Sequence, residues 1–574
     1  MLFATANLPH GGLGWLDYLA VIGYLVVTML IVAWASRRQS DTEDFFLGGR
    51  SMPWLAVGLS MMATLLSTNT YLGVPGEMIR YGVAYVCGYL AYPAVIIVVT
   101  WYWIPFFMRL RMTSAYEYLE HRFDYRSRIL AGVLFLFLRL GWMSMVVFTG
   151  SLAMFEMTRE PLLAVCRPLG IEQPMFLLIG LVGAAATVYT CLGGIRAVIW
   201  TDVLQAIMLF GGVLLIIVYV MLVEGTGPAE WWTTIRSSDT QHGTLRWFSW
   251  DITERNTIFA TVFSIFAWNV CTHVSDQVVL QRYFTTNSRK AARNTFIVNI
   301  VSNVSIGLLL ALSGFALLYF YLQHPTFLPS ELTPRSGADK VMPYFYAHQL
   351  PAGFGGLILA SFLCDAMQTL VSGVNSISAI ATEDVLNRIY PQRTRRLSDL
   401  AVARWVTIAV GLVATLLAYL LTYFAMQSKL TIIDLMPRTF NMFLGPLAAL
   451  FLIGMFLGRA RPRTAILGVL ASLACSFTWA WWDMIPNMLG SVGLDSLGTA
   501  WQGILGVTAE GTNKRPTVMM AIGMPCLFGI AVAWILSLIL DRGTENPGAA
   551  YTWREVMKRP EPQPETIVAS PANK

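Results

Sequence analysis

The sequence predicts an all-α polytopic membrane protein with about 13 transmembrane helices, and three observations lead there. Hydrophobic residues are 56% and charged residues only 13% of the 574, half the ~25% charge of a soluble domain. Mean hydropathy is +0.59. Apolar runs recur from Leu16 to Leu540, each near the ~20 residues that cross ~30 Å of hydrocarbon. The expectation is one integrated bundle, residues 1–541, with a disordered tail at 542–574.

The spans are expected at 15–36, 52–74, 82–107, 129–154, 174–192, 198–222, 257–279, 294–322, 352–382, 402–424, 431–457, 463–483 and 518–540. The first has no basic leader and no small-residue cleavage site, so it reads as a retained helix. The second is apolar from Leu59 to Leu66. Ser67, Thr68, Asn69 and Thr70 then come together, followed by Gly73, Pro75 and Gly76. Such residues at membrane depth favour a broken helix whose freed carbonyls bind a cation. The seventh is interrupted by Asn269, Thr272, His273, Ser275 and Asp276. Two broken spans five helices apart predict an inverted five-plus-five repeat, residues 52–222 and 257–457, with a site where the breaks meet.

The ninth span holds a carboxylate, Asp365, near its middle. Insertion of such a charge costs ~2.5–3.5 kcal/mol. Asp365, Gln368, Thr369, Ser372 and Ser376 share one helical face. The stripe is either an ion or solute site or a helix–helix hydrogen-bond seam.

Lys and Arg set the expected orientation. With the N-terminus outside, inner segments carry 26 basic residues and outer ones 11; Arg139 and Arg438 fall inside spans. The net charge of +6 is therefore a topology signal and points to no nucleic acid. The expected place is the cell membrane, crossed many times, with the C-terminus cytoplasmic. The cysteines form no metal spacing, and no Walker loop, GxSxG or HExxH occurs, so neither an enzyme nor an organic cofactor is expected. His121 beside Glu117 and Glu120 is the one acid/base cluster.

Five segments resemble, in order, the motifs of the sodium/solute symporter family. They are FFLGGRSMPWLAVGLSMMATLLSTNTYLG (45–73), YTCLGGIRAVIWTDVLQAIML (189–209), DQVVLQRYFTTNSRKAARN (276–294), NSISAIATEDV (375–385) and FLGPLAALFLIGMFLGRARPRTAILG (443–468). Family members carry sugars, proline, iodide, pantothenate and sialic acid with sodium. The resemblance covers roughly residues 15–480. It implies a LeuT-like fold, one helix before the ten-helix core and two after it.

The resemblance also implies a sodium site from the carbonyls of Ala63 and Leu66 with Gln368 and Thr369, where the family keeps two hydroxyls. Asp365 is added one turn earlier. It binds sodium, carries a proton, or pairs with an arginine. Asp202 matches an acidic residue of the inner sodium path, with Ser372 as its companion; the alternative is a helix cap. Arg438 falls where sugar carriers place a Gln, and its fixed fork of donors suits a carboxylate, sulfonate or phosphate; the alternative is a pair with Asp434. Arg139 or Trp142 matches an arginine that holds a carboxylate in a sialic-acid-type member; the alternative for Arg139 is a structural pair on the inner half or a snorkel. Ser67, Thr70, Asn269, Thr272 and His273 would complete a polar pocket, with Trp142 and Trp268 as walls.

The expected function is cation-coupled import, sodium first, of a small polar organic solute, an anionic or sugar-acid molecule ahead of a neutral sugar or polyol. Proton coupling is the alternative mechanism. A transporter-like sensor is the alternative class, and no signalling domain is expected after residue 541. The oligomeric state is not legible.

Overall fold

The computed structural model describes residues 12–36, 51–110, 112, 114–190, 195–238, 247–251, 253–329, 333, 337–380, 399–427, 430–491, 493, 496–498, 516–541 and 546–560. Among them every regular element is a helix. Eleven helices are long and apolar enough to cross a membrane, or up to 12 if one bent pair counts as a single span. The remaining expected span, 174–192, is present as a shorter apolar helix.

The first helix, α1 (Trp15–Ser36), lies outside the core. The first repeat follows as α2 (Trp54–Tyr81), α3 (Val83–Leu110), α4 (Tyr125–Cys166), α5 (Pro174–Thr190) and α6 (Ile195–Glu224). The second has α7 (Ile258–Ser275) with its continuation α8 (Gln277–Phe284), then α9 (Arg289–Gln323). A short helix, α10 (Ala338–His348), precedes α11 (Phe354–Ile380) and α12 (Asp399–Gln427). The repeat closes with α13 (Ile432–Thr439) and α14 (Asn441–Phe456), bent 50° to each other. Two helices, α15 (Pro462–Ala480) and α16 (Gly523–Leu540), complete the bundle.

Three features depart from expectation. The second break falls at Asp276, where the helix ends, and Asn269, Thr272 and His273 stay helical. Asn269 donates its amide back to the Ile265 carbonyl (2.8 Å), so its polarity is met without breaking the turn. Asp276 does end it: its carboxylate accepts from Val278 N (2.9 Å) and caps α8. The eleventh span is also broken, between α13 and α14. Pro437 withholds one intrahelical donor there. Finally, the expected disordered tail contains folded pieces, Pro547–Tyr551 and α17 (Trp553–Lys558). Trp553 donates its indole N–H to the Tyr102 carbonyl (3.1 Å), Arg109 donates to the Arg559 carbonyl (3.3 Å), and Val556 is fully buried. Residues 542–545 and 561–574 lie outside the described residues.

Two contacts position the functional helices. Asp17 of α1 accepts from Gly353 N and Gly356 N, both at 2.8 Å, and so caps α11. A Cβ at Gly356 would collide with the Asp17 backbone, so only glycine allows this approach. The helix α10 is tied to three neighbours. Tyr346 meets Tyr71 of α2 (2.9 Å), Lys340 pairs with Glu156 of α4 (3.0 Å), and Asp339 accepts from Ile432 N of α13 (3.1 Å).

Candidate functional site

The break in α2 sits at Ser67, with φ 41° and ψ 161°. It is the one non-glycine residue with positive φ among those described, a conformation that costs ~1–3 kcal/mol and persists only where surroundings impose it. The surroundings are on α11. In an unbroken helix the Thr68 N–H would hold the Thr64 carbonyl. Instead it donates to Asp365 (2.6 Å), and the Thr68 hydroxyl donates to the same oxygen. The other carboxylate oxygen accepts from the Gln205 amide of α6 (2.8 Å). Asp365 thus places its carboxyl group at the positive end of the second half of α2. It has no arginine partner among these contacts, so the pairing alternative falls.

One turn along α11, both amide atoms of Gln368 are buried with no hydrogen-bond partner. Thr369 and Ser372 are buried on the same helix. Ala63 and Leu66 are buried in the turn just before the break. The carboxylate, amide and hydroxyl oxygens of this face of α11 are donor types that a hard cation takes. An unmet Gln368 oxygen in that setting fits sodium. Ser376, the last of the stripe, donates to Gln281 of α8 (3.2 Å) and belongs to helix packing.

Asp202 lies two turns inside α6, so it is no helix cap. Its partners also differ from expectation. It accepts from Ser60 (2.5 Å), Thr64 (3.3 Å) and Arg282 (3.1 Å), and Ser372 is not among them. Arg282 also donates to Ser60 (3.1 Å) and Thr64 (2.5 Å). Beside it Arg139 of α4 pairs with Asp276, both nearly fully buried. These two ion pairs fasten α2, α4, α6 and α8 together on the side of the bundle that carries α8.

A central cavity of about 150 Å³ opens at the break. Ser67, Asn69, Thr70, Trp142, Ser264, Trp268, Asn269, Asn303 and Asn441 give it hydroxyls, amides and indoles, with Tyr85, Tyr89, Tyr92 and Phe440 completing the wall. Buried polar atoms without partners cluster here: Ser67 Oγ, Asn69 Nδ2, Trp142 Nε1 and Asn441 Oδ1. Such atoms cost ~1–3 kcal/mol each when left unmet, and a polar solute meets them.

Several expected solute contacts are not in this cavity. Arg139 is locked to Asp276 and lies over the Trp142 ring at 5.4 Å; Trp142, one turn on, is the residue that reaches the cavity. Thr272 and His273 do not line it, and His273 is fully buried against Tyr283 (2.7 Å) and Phe296. Arg438 does not pair with Asp434, which Arg255 claims together with Glu77. It pairs with Asp483 (2.8 Å) and lines a second, peripheral cavity of about 310 Å³. Pro437 of α13 and Val518 line both cavities and stand between them. Sequence reasoning missed Asn303, Asn441 and Gln205. Gln205 had a signal, standing one turn from Asp202 on the same face; the two asparagines had none beyond polarity inside apolar spans. The His121 cluster is a surface contact: His121 stacks on Tyr551, and Glu120 pairs with Arg128 (2.7 Å).

A family model described as the sodium:solute symporter family matches residues 45–472. The sodium/sialic acid symporter SiaT of Proteus mirabilis is 31% identical over 460 residues, 80% of this chain and 88% of that one. The sodium-dependent multivitamin transporter of Oryctolagus cuniculus is 30% identical over 489 residues, 83% of this chain and 71% of that one. A solved, substrate-bound outward-open structure of a Na⁺-coupled sialic acid symporter is 27% identical with a TM-score of 0.71, covering 92% of this chain and 98% of that one.

Proposed function

The chain belongs to the sodium:solute symporter family, and on that premise we propose a working cycle for it as a sodium-coupled importer of an anionic sugar acid. Sodium binds between the carbonyls of Ala63 and Leu66 and the side chains of Asp365, Gln368 and Thr369, and fixes the break in α2. The solute binds in the central cavity next to that break. Its hydroxyls and carbonyls meet Ser67, Asn69, Thr70, Asn269 and the Trp142 indole N–H; its ring lies against Trp268 and the tyrosines. Arg282–Asp202 and Arg139–Asp276 hold the inner side shut, and their release opens it. The Lys and Arg distribution supports a cell-membrane orientation with the N-terminus outside.

One observation carries this reading: the strained turn at Ser67 is held by Asp365 and opens onto a cavity lined by unmet polar atoms. The relatives supply the solute class, since the two compared sialic acid carriers are matched over most of this chain. A second reading, a neutral sugar or polyol, is favoured by the absence of Lys, Arg and His from the described lining of the central cavity. Uptake of radiolabelled sialic acid into proteoliposomes tests both. An inward sodium gradient is expected to accelerate uptake at least ~10-fold, a difference of ~1.4 kcal/mol, and an inward proton gradient is not. Uptake indifferent to both gradients sinks the symporter cycle. Sodium-driven uptake of a labelled neutral hexose or polyol without uptake of sialic acid transfers the assignment to the second reading.

A further inference from the structure

The C-terminal segment 546–559 lies across the end of the bundle that carries α8. At one end it holds the turn between α14 and α15. Asn546 donates to the Gly458 and Ala460 carbonyls (2.9 and 3.0 Å). Gly548 comes so close to the Arg122 carbonyl that a Cβ would not fit, and the Tyr551 ring stacks on His121, with centroids 5.3 Å apart. The short helix Glu117–Arg122 is bound to the same place. Its fully buried Arg122 donates to the Gly454 (2.8 Å) and Leu457 (2.7 Å) carbonyls at the end of α14. A helix C-terminus leaves such acceptors open and favours a cation there. The loop before this helix meets α8, where Ala115 N donates to Gln277 (2.8 Å).

At its other end the segment reaches α3. Trp553 donates to the Tyr102 carbonyl (3.1 Å), and the two rings lie 5.2 Å apart. Arg109 donates to the Arg559 carbonyl and the Met557 thioether, both at 3.3 Å. These bonds are longer than those at the turn, and the Trp553 bond is exposed. The helix α17 packs against both α3 and α14, with Val556 fully buried. Now α3 belongs to the first repeat and α14 to the second. Alternating access rocks one part of such a fold against the other around a fixed site. Inner ends that meet while the inner side is shut must part when it opens, and a segment bonded to both must release one.

We propose that residues 546–559 form a strap across the inner end of the bundle, which stays on the α14–α15 turn and lets go of α3 each time the transporter opens inward. The proposal rests on the sodium-coupled cycle above. The strap favours the inner-closed state from outside the bundle, as Arg282–Asp202 and Arg139–Asp276 favour it from within.

Two reversible locks in the full chain, with its seven cysteines replaced, test this. In Tyr102→Cys/Trp553→Cys a bis-thiosulfonate cross-linker ties the segment to α3; Arg109→Cys/Met557→Cys is a second α3 lock should the first not fold. In Gly458→Cys/Thr552→Cys, where a Cβ at 458 lies 3.8 Å from the Thr552 methyl, a disulfide ties the segment to the turn. Sodium-driven uptake of radiolabelled sialic acid into proteoliposomes is read beside equilibrium binding. Closing the α3 lock should cut uptake at least ~10-fold and leave binding intact, and reductant should restore uptake. Closing the turn lock should leave uptake unchanged. Uptake that persists with the α3 lock closed, or falls equally with both locks, overturns the strap alone. No sodium-driven uptake by the wild type overturns the cycle and the strap with it.

Discussion

Asp365 does two jobs that conflict unless a cation is nearby. It caps the second half of α2 through Thr68, and it stands one turn before Gln368, whose amide has no partner. Asp365→Asn keeps the shape and most of the hydrogen bonding but removes the charge. Solute binding is expected to survive, while sodium's enhancement of it falls at least ~10-fold; thermal shifts with solute in sodium and in choline chloride read this directly. An unaltered sodium effect demotes Asp365 to a helix cap. Asp202 and Arg282 make a second test at this scale. Removing one partner of a buried pair costs ~3–5 kcal/mol because the other charge is left behind. Asp202→Asn and Arg282→Gln should therefore each lower thermal stability sharply, and the double variant should lose much less than the sum. The stripe on α11 was legible because periodicity shows which residues share a face. The arginines were not. Sequence places Arg139 and Arg438 inside spans, but their partners, Asp276 and Asp483, sit on other elements.

Helix breaks were half legible for a related reason. The Ser-Thr-Asn-Thr cluster and the turn at Ser67 coincide. Asn269, Thr272 and His273 looked equally disruptive, yet Asn269 bonds to its own helix, His273 meets Tyr283 of α8, and only Asp276 ends α7. The break before α14 was signalled only by Pro437 among polar residues, Asp434, Arg438, Thr439 and Asn441, that are also compatible with a continuous helix. At this scale α10 yields a pH prediction. Asp339 is half-buried between α2 and α13, with one oxygen covered, unmet and aimed at Gly76. Burial is the main cause that raises its pKa to about 7; Glu77 and Asp434 push the same way, while Ile432 N and Arg80 oppose. The folded chain keeps this proton to about pH 7, whereas an unfolded chain releases it near pH ~4. The stabilising contribution is thus present at low pH and is lost as pH rises from ~4 to ~7. Melting temperatures from pH 5 to 8 should show the wild type losing roughly 1–3 °C relative to Asp339→Asn. Parallel profiles would mean that Asp339 does not titrate there.

Across the whole molecule, composition and the spacing of apolar runs made the bundle legible, because lipid forces every spanning segment to satisfy its own backbone. The tail was misjudged for the converse reason. Its few apolar residues suffice because they dock on a surface made by distant helices, with Asn546 donating to the Gly458 and Ala460 carbonyls (2.9 and 3.0 Å). Truncation after residue 541 is expected to lower the melting temperature by roughly 1–3 °C and to increase proteolysis of the loop holding Glu117–Arg122, against which Gly548 packs. Unchanged protection of that loop would show the tail to be a passenger.

The cap that Asp17 places on α11 also sets a timetable. Its partners Gly353 and Gly356 lie 336 and 339 residues later in the chain. At ~5–20 residues per second of synthesis, roughly 17–70 s separate them. Through that interval α1 waits in the bilayer with a carboxylate whose intended amides do not yet exist. The helix that carries Asp365 therefore matures against the oldest part of the chain. Anything that holds α1 in the membrane until α11 arrives governs how much working transporter a cell obtains from each round of synthesis.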